Sequence, residues 1–173
     1  REAMDKYGSD KPDLRFGMEL ADLSGVFAKT SFKVFANVLQ GGGVVKAINA
    51  KGLAGVSAGV IDQWTELARE SGLGGLAFIR VQEDGNWKSP IAKFFTDEEK
   101  AGLASHLNIQ NGDLILFAAD KLDTANVALG RLRLLAAGLA GAIPDKVFKF
   151  TWVTDFPLLE KSADGHLVSM HHP

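Results

Sequence analysis

Apolar and polar positions change period several times along the chain, and each change marks a predicted element. Arg1 to Tyr7 reads as the tail of a helix, with Gly8 placed for a left-handed C-terminal cap and Pro12 soon after. Met18 to Leu23 follows, and Gly25 ends that leading segment. Phe32, Val34 and Ala36 alternate with Lys33, Phe35 and Asn37, which predicts a first strand. Val44 to Asn49 predicts a second. Ser57 is placed as the N-cap of a helix whose Ile61, Trp64, Leu67 and Ala68 share one face. Leu76 to Val81 predicts a third strand, and Trp87 to Phe95 a fourth, held to an edge by Pro90. Thr96 and Glu99 form a capping box for the next helix, which turns Leu103 and Leu107 inward. Asp113 to Ala119 is a further buried strand.

A long helix over Asp120 to Ala142 then carries Val127, Leu132, Leu135 and Leu139 inward. Gly130 interrupts it at a cost of about 1 kcal/mol relative to alanine, which a close packing contact would explain. Phe148, Phe150 and Trp152 fall two apart, as in a half-buried antiparallel strand. Phe156 before Pro157 keeps the chain extended, and Asp164-Gly165 signals a hairpin whose second strand starts at His166. The order from Phe32 to Leu107 is β-β-α-β-β-α. It predicts an α+β fold in two layers, with helices over one face of an antiparallel sheet.

Composition narrows the class. With 173 residues, 46% of them hydrophobic and 23% charged, the chain can bury a core. A net charge of −2 argues against a strongly basic nucleic-acid surface and leaves room for a local basic patch. The absence of cysteine removes disulfides, thiolate metal sites and cysteine nucleophiles, and agrees with a reducing compartment. No apolar run approaches the ~20 residues that span a bilayer. No signal-peptide pattern follows Arg1-Glu2, so the cytoplasm is the expected location. The missing initiator methionine and the stop at Pro173 suggest a piece of a longer protein.

Chemistry-bearing patterns are few. Gly41-Gly42-Gly43 leads into a β-branched strand and lacks the lysine signature of a phosphate loop, so it is a flexible connection. Lys11 and Arg15 lie in or beside the turn Ser9 to Asp13; they either touch an RNA phosphate or another domain, or simply belong to a capped turn. His106 is isolated and reads as a boundary residue. His171-His172 is the one pair that asks for a chemical role. Neighbours on a strand point to opposite faces, so the two imidazoles are poorly placed to share an ion. No serine or carboxylate partner is identifiable by spacing. A structural pair and a catalytic base both remain open at this level.

Two long strings carry a resemblance. YGSDKPDLRFGMEL near the start, and TDFPLLE with a hairpin and HHP at the end, resemble the bacterial type of aspartyl-tRNA synthetase, a class II enzyme. The stretch between them is similar to that family's inserted domain, also found in an archaeal tRNA-dependent amidotransferase. The resemblance covers essentially the whole chain. It implies a catalytic-core segment over residues 1–30, the inserted α+β domain over 31–120, a returning helix over 121–146, and antiparallel core strands over 147–173.

It further implies that the complete enzyme activates aspartate with ATP and Mg²⁺ and transfers it to tRNA, as a homodimer. His171 would meet the substrate aspartate, with His172 beside it; no catalytic and no metal-binding residue is assigned, and Asp155 receives no role. The family's ATP-binding signatures and its anticodon-binding barrel have no counterpart in these residues. The fragment is therefore expected to be monomeric, inactive, without its own cofactor and away from membranes. The alternative is a non-catalytic module binding tRNA or a protein, related to the amidotransferase insert. A small independent enzyme with a histidine base is a third reading, disfavoured by the lack of a second placed catalytic group.

Overall fold

The computed structural model describes residues 1–162 and 164–169. Its centre is an antiparallel five-stranded sheet, built from β1 (Ala21–Asp22), β2 (Val44–Ala50), β3 (Ala77–Val81), β4 (Trp87–Lys88) and β5 (Leu114–Asp120). The strands lie in the order β1-β2-β5-β3-β4. β2 and β5 pair along their full length, from Val44 opposite Asp120 to Ala50 opposite Leu114. These two strands are apolar at nearly every position, as strands buried on both faces must be. Ile48, Ala50, Leu114, Leu116 and Ala118 face one core; Val45, Ala47, Ile115 and Phe117 face another.

The first core is closed by α3 (Ala58–Glu70) and α5 (Leu122–Leu139), through Ile61, Trp64, Ala68, Ala125, Leu129 and Leu132. The second is closed by α2 (Lys33–Gln40), a 3₁₀ turn (Ala92–Phe94) and α4 (Asp97–Leu107). There Phe27, Phe35, Phe95 and Phe117 meet with ring centroids 4.8–6.4 Å apart, in edge-on and tilted geometries. Such contacts add about 0.5–1.5 kcal/mol per pair beyond the area they bury. The α+β class and the antiparallel sheet are as expected. The two-layer arrangement is corrected: helices cover both faces, so there are two cores.

The predicted strand at 32–37 is instead the N-cap Phe32 and the first part of helix α2. Phe32, Phe35 and Leu39 recur at helical spacing, and all three pack in the second core. Over so short a window alternation and helical spacing coincide, and burial of these three residues decides. The predicted fourth strand is confined to Trp87–Lys88, because Pro90 lacks an N–H and the chain turns into the 3₁₀ turn. Phe148, Phe150 and Trp152 are 78%, 94% and 93% exposed, and no strand forms over residues 147–153. Their alternation is real, but among the described residues it has no sheet to join. On α5 only Leu132 of the four expected residues is buried; Val127, Leu135 and Leu139 face out. Alanines at 125, 128, 136 and 137 line the inner face instead and let the helix lie close to the sheet.

Other local readings hold. Ser57 caps α3 by accepting the Val60 amide, and Thr96 and Glu99 close a reciprocal capping box on α4. The hairpin joins β6 (Leu159–Lys161) to β7 (Leu167–Ser169), with Gly165 at φ 80° in its turn. Gly8 caps α1 (Glu2–Tyr7) at φ 67°, its amide donating to the Met4 carbonyl at 2.9 Å. The contact that excuses Gly130 is with Gly8 itself. A Cβ on Gly130 would stand 2.6 Å from the Gly8 carbonyl oxygen.

Candidate functional site

His171 and His172 lie outside the described residues. Asp155 is exposed, has φ 54°, and accepts a long hydrogen bond from the Thr154 hydroxyl at 3.4 Å. His106 is exposed, with Nδ1 2.8 Å from the Gly102 carbonyl. Among the described residues, no contact joins His106 to Asp155. Among the described residues no group of three or more His, Asp or Glu could hold a metal, and no helix is long and apolar enough to cross a membrane.

What the fold does assemble is a junction between the leading segment and the sheet domain. Arg133 is 1% exposed, and its guanidinium donates to four backbone carbonyls. Nε reaches Met18 at 3.0 Å; Nη2 reaches Asp13, Phe16 and Gly17 at 2.8, 3.2 and 3.0 Å. The same group lies 4.1 Å from the Phe16 ring centroid and 5.0 Å from that of Tyr7. Burial lowers the Arg133 pKa, and the negative charges of Asp13 and Glu19 work against that shift. A planar fork with five donors suits this task; an ammonium could not serve four divergent carbonyls.

Lys46 makes a second tie. It rises from the middle of β2, 2% exposed, and donates to the Asp5 carbonyl and to Asn126 Oδ1, each at 2.7 Å. Burial pulls its pKa down, while Asp5 and Asp22 pull it up. Arg15 is held by Asp13 in a two-pronged pair, with Nη2 to Oδ2 at 2.7 Å, and that pair lowers the Asp13 pKa. Lys11 donates its amide to Ser9 Oγ, so the turn read from sequence is present. At the far end of the sheet, Asn49 Nδ2 donates to Asp113 Oδ2 at 2.8 Å and to the Leu107 carbonyl at 3.1 Å. Asp113 also receives the Gly52 and Gln110 amides, which ties the loops together.

Sequence reasoning passed over Arg133, Lys46 and Arg80. A signal existed for the first two. Arg133 is in helical phase with the buried Leu129 and Ala136, and Lys46 interrupts an apolar strand. A charge at an inward position must find partners. The third, Arg80 of β3, lines an open groove of about 870 Å³ between β3–β4 and the start of α3. Its Nη1 donates to the Ala54 and Val56 carbonyls, the latter at 2.6 Å.

Comparison with known proteins places this architecture. The family model of the GAD domain matches residues 35–129, from α2 into the first half of α5. The chain belongs to the GAD domain family. Relatives of this GAD protein extend the similarity over its full length. It is 52% identical over 174 residues to an aspartate–tRNA(Asp/Asn) ligase of Desulfatibacillum aliphaticivorans, covering 100% of this chain and 29% of that protein. Similar ligases are those of Halothermothrix orenii, 50% identical over 100% of this chain and 29% of the relative, and Opitutus terrae, 49% identical over 99% and 30%. The chain thus spans about 29% of the length of the curated relatives it matches.

Proposed function

We propose that this chain is the GAD-bearing portion of an aspartate–tRNA ligase. The observation that carries this reading is identity near 50% in alignments that span the whole chain and so run well beyond residues 35–129. A free-standing binding module would need similarity only across the sheet domain. Residues 1–30 and 147–173 are core segments in this reading, and 31–120 and 121–146 are the insert and the helix that returns from it. The exposed Phe148, Phe150 and Trp152 support it, since an alternating apolar segment with no strand neighbour among the described residues suits a sheet completed by the rest of a longer protein.

The complete enzyme would join aspartate to tRNA using ATP and Mg²⁺, in the cytoplasm and as a homodimer. The described residues offer no group of three or more His, Asp or Glu suited to holding the metal. His171 is the proposed contact of the substrate carboxylate, to which an imidazole can donate, with His172 beside it. The 173-residue chain by itself is then an inactive accessory piece. The Arg133 and Lys46 ties support a positioning role, because they fix the orientation of the insert on its leading segment.

Amino-acid-dependent ATP–pyrophosphate exchange by the full-length protein tests the reading. Aspartate alone should support exchange, and His171→Ala should weaken it by about tenfold or more, the scale of a lost charge-assisted contact. A well-folded full-length protein that shows no aspartate-dependent exchange would refute it.

A further inference from the structure

In the antiparallel pairing of β3 with β4, Arg80 stands directly opposite Lys88. Directly opposed residues share a face and bring their side chains close, so two cations here repel each other. Both line the 870 Å³ groove. Among the described residues neither has a carboxylate within ion-pairing distance, and the two carbonyls that hold Arg80 orient it without cancelling its charge. Phe78, two residues back on the same face, lies in the groove with the Arg80 guanidinium 5.7 Å from its ring centroid. Asp62, Gln82, Glu83 and Ser89 supply the rest of the polar lining. A like-charge pair set side by side on one face is unfavourable by itself and becomes favourable when an anion bridges it.

We propose that this groove binds a single-stranded segment of RNA. Arg80 and Lys88 hold successive phosphates, Phe78 takes the face of a base, and Asp62 and Glu83 accept from ribose hydroxyls or base amines. An acidic peptide would satisfy the cations, and its backbone amides could donate to Asp62 and Glu83, but its acidic side chains carry no ring for the face of Phe78. A nucleotide carries anion, ring and donors together. The choice of RNA over another polyanion rests on the tRNA-ligase reading. The net charge of −2 makes this a local site, so affinity should depend on a few contacts rather than on the field of the whole protein.

The test is fluorescence anisotropy of this 173-residue chain with a labelled single-stranded RNA of about twelve nucleotides and with an aspartate tRNA transcript. Lys88 is exposed and, among the described residues, its side chain makes no hydrogen bond or ion pair, so its variants should melt as wild type. Lys88→Ala should make the slope of log affinity against log salt shallower by about 0.7, the value of one single-strand phosphate contact. Lys88→Glu should weaken both RNAs about tenfold. Phe78→Leu should weaken the single strand about fivefold, with melting followed alongside because Phe78 also touches the core. Failure of the chain to bind either RNA would overturn the proposal, as would binding indifferent to Lys88→Glu. Competition by polyglutamate as effective as by RNA would also overturn it and assign the groove to acidic peptides. Amino-acid activation needs no RNA in this groove, so the exchange assay and this assay fail independently.

Discussion

Replacing Arg133 by methionine separates the junction from the rest of the fold. Methionine keeps the volume of the buried stem, so little cavity forms and the loss is mainly that of the guanidinium. Hydrogen bonds from a charged donor are worth about 1.5–3 kcal/mol each. Three of the four at Arg133 share Nη2, so they count as roughly two independent donors rather than four. That gives about 3–6 kcal/mol, reduced because removing a buried charge with no carboxylate partner relieves its desolvation. A net loss of about 3 kcal/mol is expected. For a chain of this size it lowers Tm by about 6–12 °C.

The loss should also be local. In native-state hydrogen exchange the Leu20 amide, which donates to the Lys6 carbonyl at 2.8 Å, should lose protection first, while the β2–β5 amides should follow only global stability. Arg133→Lys should recover less than half of the loss, since one ammonium cannot reach carbonyls on both sides of the guanidinium plane. Urea unfolding that places Arg133→Met within about 0.5 kcal/mol of wild type, or full rescue by lysine, would refute the reasoning.

Two further predictions concern the same junction. Gly130→Ala should destabilise by about 1–3 kcal/mol in urea unfolding, although alanine is the better helix former, because its Cβ would meet the Gly8 backbone at 2.6–2.9 Å; a stabilised variant would show that the two segments separate at little cost. The Arg15 partner lowers the folded-state pKa of Asp13, so the unfolded chain takes up that proton first and the pair stabilises the fold at neutral pH. That contribution, about 0.5–1 kcal/mol for a partly exposed pair, should fade as pH falls below the ordinary aspartate range. Asp13→Asn should remove it at pH 7, and wild type and variant should converge in acid. A gap that widened toward low pH would contradict the sign.

Where a signal is carried by residues near one another in sequence, it could be read without the fold. Thr96 with Glu99, Ser57 before α3, Gly8 after α1 and Asp164-Gly165 in the hairpin each act over a few residues, and backbone dihedrals and nearby amides settle them. The alternation of Phe148, Phe150 and Trp152 was legible too, yet a strand exists only when a neighbour supplies its hydrogen bonds. Helix α2 was misread because eight residues fit both periods until the second core claims Phe32, Phe35 and Leu39.

The sequence by itself therefore determined the α+β class, most helices and turns, and the strings that pointed to the family. Tertiary structure alone decided which face of α5 is wet, that the sheet is covered on both sides, and what the buried charges do. Arg133 meets carbonyls 115 to 120 positions away, and Arg80 opposes Lys88 only because β3 and β4 pair in one register. Pairings of that kind follow from how distant segments share a core, and periodicity, which records each segment's own burial, does not contain them.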